Sequence, residues 1–197
     1  ALPLTLRWAA IVAVITMASG LALSQSALAE PFQEGIEYLT LDQPVTTEAG
    51  PGKVEVIEFF WYSCPHCNAF EPQFRQWIER QSKDVVIKRV PVRFREDFEP
   101  QQRMYYALEA LGKLEPLHGR LFQAIHVDRL PLSGAEQLTR WAEKNGIPAA
   151  EFQQAYNSFG VVAKARHATQ LQLAFKVQGV PALGVAGRYY TDGALAG

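Results

Sequence analysis

The sequence predicts an α/β domain whose sheet is interrupted by a helical insertion of roughly 70 residues. Residues 54–61 and 85–92 are rich in β-branched and aromatic side chains, as buried strands are. Residues 100–178 have almost wholly helical character, and strand character returns after Gly179. This order is typical of a sheet domain that carries an insertion between its strands.

Individual elements follow from the same patterns and from the Gly and Pro residues that separate them. Strands are expected at 37–41, 54–61, 85–92, 182–186 and 188–191, with a turn at Gly187 before the last. A first helix is expected to begin at Pro65 and to be kinked at Pro72. Further helices are expected at 101–111, 115–125, 135–145, 149–156 and 161–177.

The first 29 residues have the pattern of a secretory signal peptide. Arg7 is their only charged residue, the apolar run 8–17 follows, and residues 26–29 supply an Ala-x-Ala site. A retained membrane anchor is the alternative, but the apolar run is short for a membrane span. We therefore expect export with cleavage near Ala29. Because the chain begins with Ala1, we also expect that its N-terminus has been trimmed.

The composition and charge balance of the chain restrict the classes of partner that it can bind. The 197 residues are 48% hydrophobic, which is enough for one core with an insertion. Basic and acidic residues nearly cancel, 19 against 20, so no basic field is available to attract a nucleic acid. We expect no nucleic-acid partner.

The chain has two cysteines, Cys64 and Cys67, separated by two residues. A bridge between them closes so short a loop that it stabilises the fold little. A zinc site would need a second ligand pair, and haem attachment would need His where Asn68 stands. Zinc, haem and an inert bridge remain weaker alternatives to thiol–disulfide chemistry, which needs no cofactor or metal because sulfur carries the electrons.

The residues around the cysteines favour a reactive thiolate. Pro65 suits the first turn of a helix, which places Cys64 at the helix start, facing unpaired N–H groups and the positive end of the dipole. His66 can donate a hydrogen bond or carry positive charge. Both effects lower the pKa of Cys64, which stabilises the reduced form and makes the disulfide a stronger oxidant. Cys67 lies further into the helix, where we expect it to be sheltered.

These residues resemble the DsbA-type thiol oxidases of the bacterial periplasm. The similarity lies in residues 56–60 leading into the Cys-Pro-His-Cys motif at 64–67, and in the Gly-Val-Pro-Ala motif at 179–182. Residues 124–127 and 157–159 resemble segments of the family's inserted helical domain. The resemblance covers about residues 31–192 and implies a thioredoxin-like fold with an inserted helical domain.

The resemblance also implies roles, position by position. Cys64 would be the nucleophile and Cys67 its buried partner, with Pro65 and His66 between them. Pro181 would be a cis-proline, and Val180 would offer backbone groups to an extended substrate strand. The implied activity introduces disulfide bonds into reduced, unfolded exported proteins in the periplasm. A quinone-linked membrane oxidase of the DsbB type would restore the disulfide, and we expect a monomer.

Glu58 stands where that family keeps a buried acidic residue. A carboxyl group in a hydrophobic strand has a raised pKa and can move a proton to or from Cys67. The alternative is an outward-facing residue, because Glu55 and Glu58 lie on opposite faces of a regular strand. Either Lys88 or Arg89 is the expected neighbouring cation.

The remaining histidines and the aromatic residues before Cys64 are weaker indications of function. We expect surface or packing roles for His126 and His167. The aromatic residues 59–62 are expected in the core, with Trp61 or Tyr62 as candidates to border a substrate groove.

A periplasmic isomerase or reductase on the same fold, or a non-catalytic thioredoxin-like chaperone, is the alternative function.

The expected domains are a signal peptide at 1–29, the first part of the thioredoxin-like domain at 30–97, the inserted helical domain at 98–168 and the second thioredoxin-like part at 169–197. The family normally continues with a further long helix, so we expect the chain to be incomplete at its C-terminus.

Overall fold

The computed structural model describes residues 32–196. The predicted signal peptide at 1–29 lies outside these residues. Between residues 32 and 196, no helix has both the length and the apolar character needed to cross a membrane.

Five strands form one mixed sheet in the order β1-β5-β4-β2-β3. The strands are β1 (Leu39–Thr40), β2 (Val54–Phe60), β3 (Val85–Pro91), β4 (Ala182–Val185) and β5 (Tyr189–Asp192). β2 and β3 run parallel, whereas β4 is antiparallel to β2 and β5 is antiparallel to both β4 and β1. The predicted α/β class is confirmed.

The helices lie where the periodicity predicts them, with small shifts at their ends. They are α1 (Pro65–Glu79), α2 (Glu99–Ala110), α3 (Leu114–His126), α4 (Ala135–Lys144), α5 (Ala149–Tyr156), α6 (Phe159–Ala174) and α7 (Gly193–Ala196). Pro72 lies inside α1, and a short 3-10 helix, Glu96–Phe98, precedes α2. The four-residue α7 was not predicted.

Local chemistry explains where α6 begins and ends. The Ser158 side chain caps the helix by accepting a hydrogen bond from the Val161 N–H at 3.2 Å, so α6 starts two residues before the predicted position. The predicted end at Val177 is too late, because Lys176 takes a left-handed backbone with φ of 52°. A helix cannot continue through that conformation.

β2 is buried from its second residue to its last, which explains its nearly continuous hydrophobic sequence. Successive side chains point to opposite faces of the sheet. Phe59 packs against Phe175 just after α6, with ring centroids 5.3 Å apart, and Phe60 packs against Phe122 of α3 at 6.0 Å. Both faces of β2 are therefore covered, and the cysteine motif begins where this strand ends.

Helices α2 to α6 occupy the chain between β3 and β4. The predicted domain boundary after residue 97 falls inside the short 3-10 helix, and the one after residue 168 falls within α6. Helix α6 packs against both α2 and β3. The division into domains stays a prediction.

Candidate active site

The two cysteines flank the start of α1. Cys64 is the N-cap residue, with an extended backbone (φ −81°, ψ 118°), and Pro65 is the first helical residue. The Cys67 N–H donates a hydrogen bond to Cys64 Sγ at 3.4 Å. Cys64 keeps 8% of its surface exposed whereas Cys67 keeps none. An external thiol can therefore reach only the first sulfur without local opening.

The residues opposite Cys64 come from a loop that is distant from it in the sequence. The Val180–Pro181 peptide bond is cis, as the resemblance implied. Cys64 Sγ donates a hydrogen bond to the Val180 carbonyl at 3.3 Å, although the two residues lie 116 positions apart. The structure thus brings the two predicted motifs into direct contact.

The environments of the two sulfurs separate their pKa values. A hydrogen bond from the Cys67 thiol is the largest cause that lowers the pKa of Cys64 to about 6. Burial opposes this shift, while the backbone N–H groups of Cys67 and His66 and the charge of His66 support it. The same sulfur–sulfur hydrogen bond, together with burial, raises the pKa of Cys67. A negative charge on the pair therefore resides on Cys64.

Glu58 is a buried residue with 1% of its surface exposed, so the outward-facing alternative is wrong. Its Cα partner on the parallel strand β3 is Arg89, and Arg89 Nε lies 3.2 Å from Glu58 Oε2. Lys88 points elsewhere and pairs with Glu48 at 3.0 Å. The neighbouring cation left open by the sequence is therefore Arg89.

Arg89 is shared between two carboxylates. It donates from Nη1 to Glu71 Oε1 at 3.2 Å, and its Nη2 lies 3.0 Å from Glu71 Oε2. Burial raises the pKa of Glu58 to about 8; the charge of Arg89 opposes this rise and the charge of Glu71 adds to it. Glu58 is therefore mostly protonated at neutral pH, next to an ionised Glu71–Arg89 pair.

The buried network extends to residues that the sequence analysis did not single out. Glu71 lies 3.5 Å from His118 Nε2, and His118 Nδ1 lies 2.8 Å from the Tyr62 hydroxyl. Burial is the main cause that lowers the pKa of His118. One signal was available, because Glu71 lies four residues after Cys67 and three before Phe74, so all three share a buried helix face. An acidic residue at that spacing indicates a buried partner.

A cavity of about 310 Å³ lies beside this network. Glu71, Arg89 and His118 are among its lining residues. The cavity is polar and large enough to hold water. Water there could exchange protons with these side chains.

Residues 55–196 match the family described as DSBA-like thioredoxin domain. The chain belongs to this family. Its fold is accordingly the DsbA-like thioredoxin fold with helices inserted in the sheet domain, as the sequence predicted.

Individual members of the DsbA family are similar over most of the chain. The thiol:disulfide interchange protein DsbA of Bordetella pertussis is 40% identical over 82% of this chain and 76% of its own length. The Pseudomonas aeruginosa protein of the same name is 36% identical over 94% of this chain and 86% of its own. The crystal structure of Pseudomonas aeruginosa DsbA superposes with a TM-score of 0.77 at 36% identity, covering 82% of this chain and 83% of that one.

Proposed function

We propose that this chain is a thiol:disulfide oxidoreductase that introduces disulfide bonds into exported proteins. The observation that carries the proposal is the Cys64 sulfur at the start of α1, where its thiolate is stabilised while Cys67 is buried. A stabilised thiolate favours the reduced form, so the disulfide tends to oxidise other thiols. The relatives named above are thiol:disulfide interchange proteins, which agrees with this reading.

In the proposed reaction, sulfur atoms alone donate and accept the electrons. A substrate thiolate attacks Cys64 in the Cys64–Cys67 disulfide, a substrate–Cys64 bond forms, and Cys67 leaves as a thiolate. A second substrate thiolate then attacks the substrate sulfur of this mixed disulfide and releases Cys64 as a thiolate. Two electrons pass from the substrate dithiol to the enzyme, and no cofactor takes part.

Glu58 has a proposed role in the first step. The leaving Cys67 thiolate takes up a proton, because burial raises its pKa; the hydrogen bond to Cys64, which is the largest cause of the raised pKa in the reduced pair, is absent while Cys64 is bonded to substrate. Glu58 holds a proton at neutral pH, because burial raises its pKa to about 8. Once that proton is given up, the Glu58 carboxylate raises the pKa of Cys67, so the two groups are electrostatically coupled. A carboxyl with such a pKa suits general acid–base transfer near neutral pH.

Substrate would bind beside Cys64 along an apolar surface. Val180 and Pro181 are half-buried there, and Val180 could pair its backbone with an extended chain. Trp61 stacks on Phe98 at 3.8 Å, and Phe98 in turn packs edge-on against Phe94, whose side chain is exposed. Such a surface suits the apolar side chains of an unfolded protein.

We also propose the setting in which the reaction runs. The chain would be exported, cleaved near Ala29 and act in the periplasm as a monomer on reduced exported proteins. A quinone-linked membrane oxidase of the DsbB type would reoxidise Cys64 and Cys67. The signal-peptide pattern and the family membership support this setting.

The alternatives fit the site less well. An isomerase or reductase benefits from a less oxidising disulfide, whereas the Cys64 environment lowers the pKa of its thiol to about 6. A non-catalytic chaperone would not require a capping cysteine in contact with Val180. Oxidation is therefore the function that the geometry supports best.

Paired cysteine variants test the assignment of the two sulfurs. Cys64→Ser should abolish oxidation of a reduced unfolded protein, because the attacked sulfur is absent. Cys67→Ser, first activated at Cys64 with a disulfide reagent and given a substrate with one free thiol, should instead accumulate mixed disulfides, because Cys67 is no longer present to reverse the first step and no second substrate thiol can release Cys64. Non-reducing electrophoresis and mass spectrometry detect these adducts.

Asn68→Ser is a control, since it alters a neighbouring residue and leaves both thiols in place; it should oxidise substrate like the unaltered chain. Adducts formed through Cys67 in the Cys64→Ser chain, and none through Cys64, would reverse the assignment.

A further inference from the structure

Three residues, Trp61, Tyr62 and Ser63, join the end of β2 to Cys64. We call them the 61–63 linker. Each contacts a side chain from the helical part of the chain between β3 and β4. The linker is short, so any shift in it passes directly to Cys64.

The first of these contacts comes from the end of α3. His126 Nε2 lies 2.8 Å from the Tyr62 carbonyl oxygen. Because a carbonyl only accepts hydrogen bonds, His126 must carry a proton on Nε2 and donate it. The imidazole stacks on Phe122 with centroids 6.1 Å apart, and Phe122 packs against the Tyr62 ring at 5.0 Å. Phe122 therefore packs against both the imidazole that donates this hydrogen bond and the tyrosine whose carbonyl accepts it.

The second contact comes from α2. The Gln101 side chain is buried, with 2% exposure. Its Nε2 donates to Ser63 Oγ at 2.7 Å and to the Leu132 carbonyl at 2.8 Å. One amide group therefore uses both of its hydrogens to tie the linker to the loop that follows α3.

Two further contacts hold the linker side chains. The Tyr62 hydroxyl is hydrogen-bonded to His118 on α3, and the Trp61 ring stacks on Phe98 in the 3-10 helix. The 61–63 linker is therefore fixed at every residue.

The position of Cys64 depends on this linker. The Cys64 N–H donates to the Trp61 carbonyl at 3.0 Å, which closes a turn over the linker. To stabilise the thiolate, the sulfur must lie within reach of the Cys67 N–H, which donates to it at 3.4 Å. Hydrogen bonds weaken steeply as distance and angle depart from their favoured values.

We propose that His126 and Gln101 are positioning residues that hold the 61–63 linker and so fix the Cys64 sulfur against the start of α1. The proposal rests on the proposed function, because it explains how the reduced form becomes favoured over the disulfide. In the disulfide form the covalent bond to Cys67 already restrains Cys64. The two positioning residues therefore stabilise the reduced, thiolate form more than the oxidised form.

Two variants remove the donors. His126→Phe keeps an aromatic ring beside Phe122, and Gln101→Leu keeps the approximate side-chain volume. Each is equilibrated with mixtures of reduced and oxidised glutathione, and the fraction of reduced protein gives the equilibrium constant. The constant for reducing the protein disulfide should fall roughly fivefold for each variant, the factor that one neutral hydrogen bond is worth. Thiolate absorbance should show Cys64 titrating at higher pH.

Two further variants serve as controls. His167→Phe changes an exposed histidine on α6, remote in sequence from the linker, and should leave the constant unchanged. His126→Gln places an amide donor near the position of Nε2 and should restore the constant towards that of the unaltered chain.

Denaturant unfolding of both redox forms separates positioning from general stability. A merely structural contact stabilises the two forms equally and leaves the glutathione constant unchanged. Constants within twofold of the unaltered chain for both His126→Phe and Gln101→Leu would overturn the proposal. The unaltered chain's own constant tests the proposed function, whereas the ratio between variant and unaltered chain tests the positioning.

Discussion

At the scale of single residues, the site depends on how one cation serves two carboxylates. Arg89 contacts both Glu58 and Glu71, and Glu71 makes two contacts with it. Burial raises the pKa of Glu71, but its contacts with His118 and Arg89 outweigh burial, so the net shift lowers that pKa. Glu58 thus has too little positive charge to remain ionised in a buried position.

Because Glu58 keeps its proton in the folded protein, the stability of the protein depends on pH through this residue. Folding raises the Glu58 pKa from 4.5 to about 8, so the folded state holds a proton that the unfolded state has lost between these values. Stability from this group is fully present below pH 4.5 and is lost as pH rises towards 8. Glu58→Gln removes the titration. The variant should gain roughly 4 kcal/mol relative to the unaltered chain between the two pH values.

Denaturant unfolding of the disulfide forms at both ends of this range measures the effect without interference from cysteine titration. Glu143→Gln, at an exposed carboxyl of α4, is the control and should show no such gain. Parallel stability curves for Glu58→Gln and the unaltered chain would show that Glu58 is ionised when folded.

The sequence could predict Cys64, Cys67 and Glu58 because each follows from chemistry within one short segment. It could not choose between Lys88 and Arg89, since that choice requires the register of β3 against β2. Gln101 was not predicted either. Its partner is a hydroxyl 38 residues away, and a glutamine in a helix has no spacing that distinguishes it from a surface residue.

At the scale of elements, the sheet and the last long helix meet at a glycine. Gly184 of β4 lies directly beneath the Phe175 ring, where an added Cβ would fall well inside contact distance. Phe175 also packs against Phe59 of β2. The close approach lets one aromatic ring cover the centre of the sheet.

Gly184→Ala should therefore destabilise the protein by about 1–3 kcal/mol, the usual effect of overpacking a core. Gly160→Ala is the matched control, because a Cβ there meets open space at the start of α6. It should change stability little. Urea unfolding of the two variants provides the comparison, and equal stabilities would show that the Phe175 ring moves aside at negligible cost.

The elements themselves were predictable because their periodicity is strong. Their ends were not, since α6 ends at Ala174, two residues before the left-handed Lys176, and starts after a serine cap. A lysine has no sequence preference for a left-handed backbone, so tertiary contacts must impose it.

At the scale of the whole molecule, the site is built from segments far apart in the chain. The motif at 64–67 meets Val180 from beyond the helices, and the helices supply His126 and Gln101 to the residues before Cys64. The two motifs were recognised from sequence, as was the helical insertion between them. The contacts of the insertion with the linker arise only from tertiary packing.

The central claim is that the protein's disulfide is a strong oxidant because the Cys64 thiolate is stabilised. Equilibration of the unaltered chain with glutathione tests this claim most directly. We expect a reduction potential nearer to about −120 mV, the value known for DsbA, a member of this same family, than to about −270 mV, that of thioredoxin. A potential close to the thioredoxin value would contradict the account.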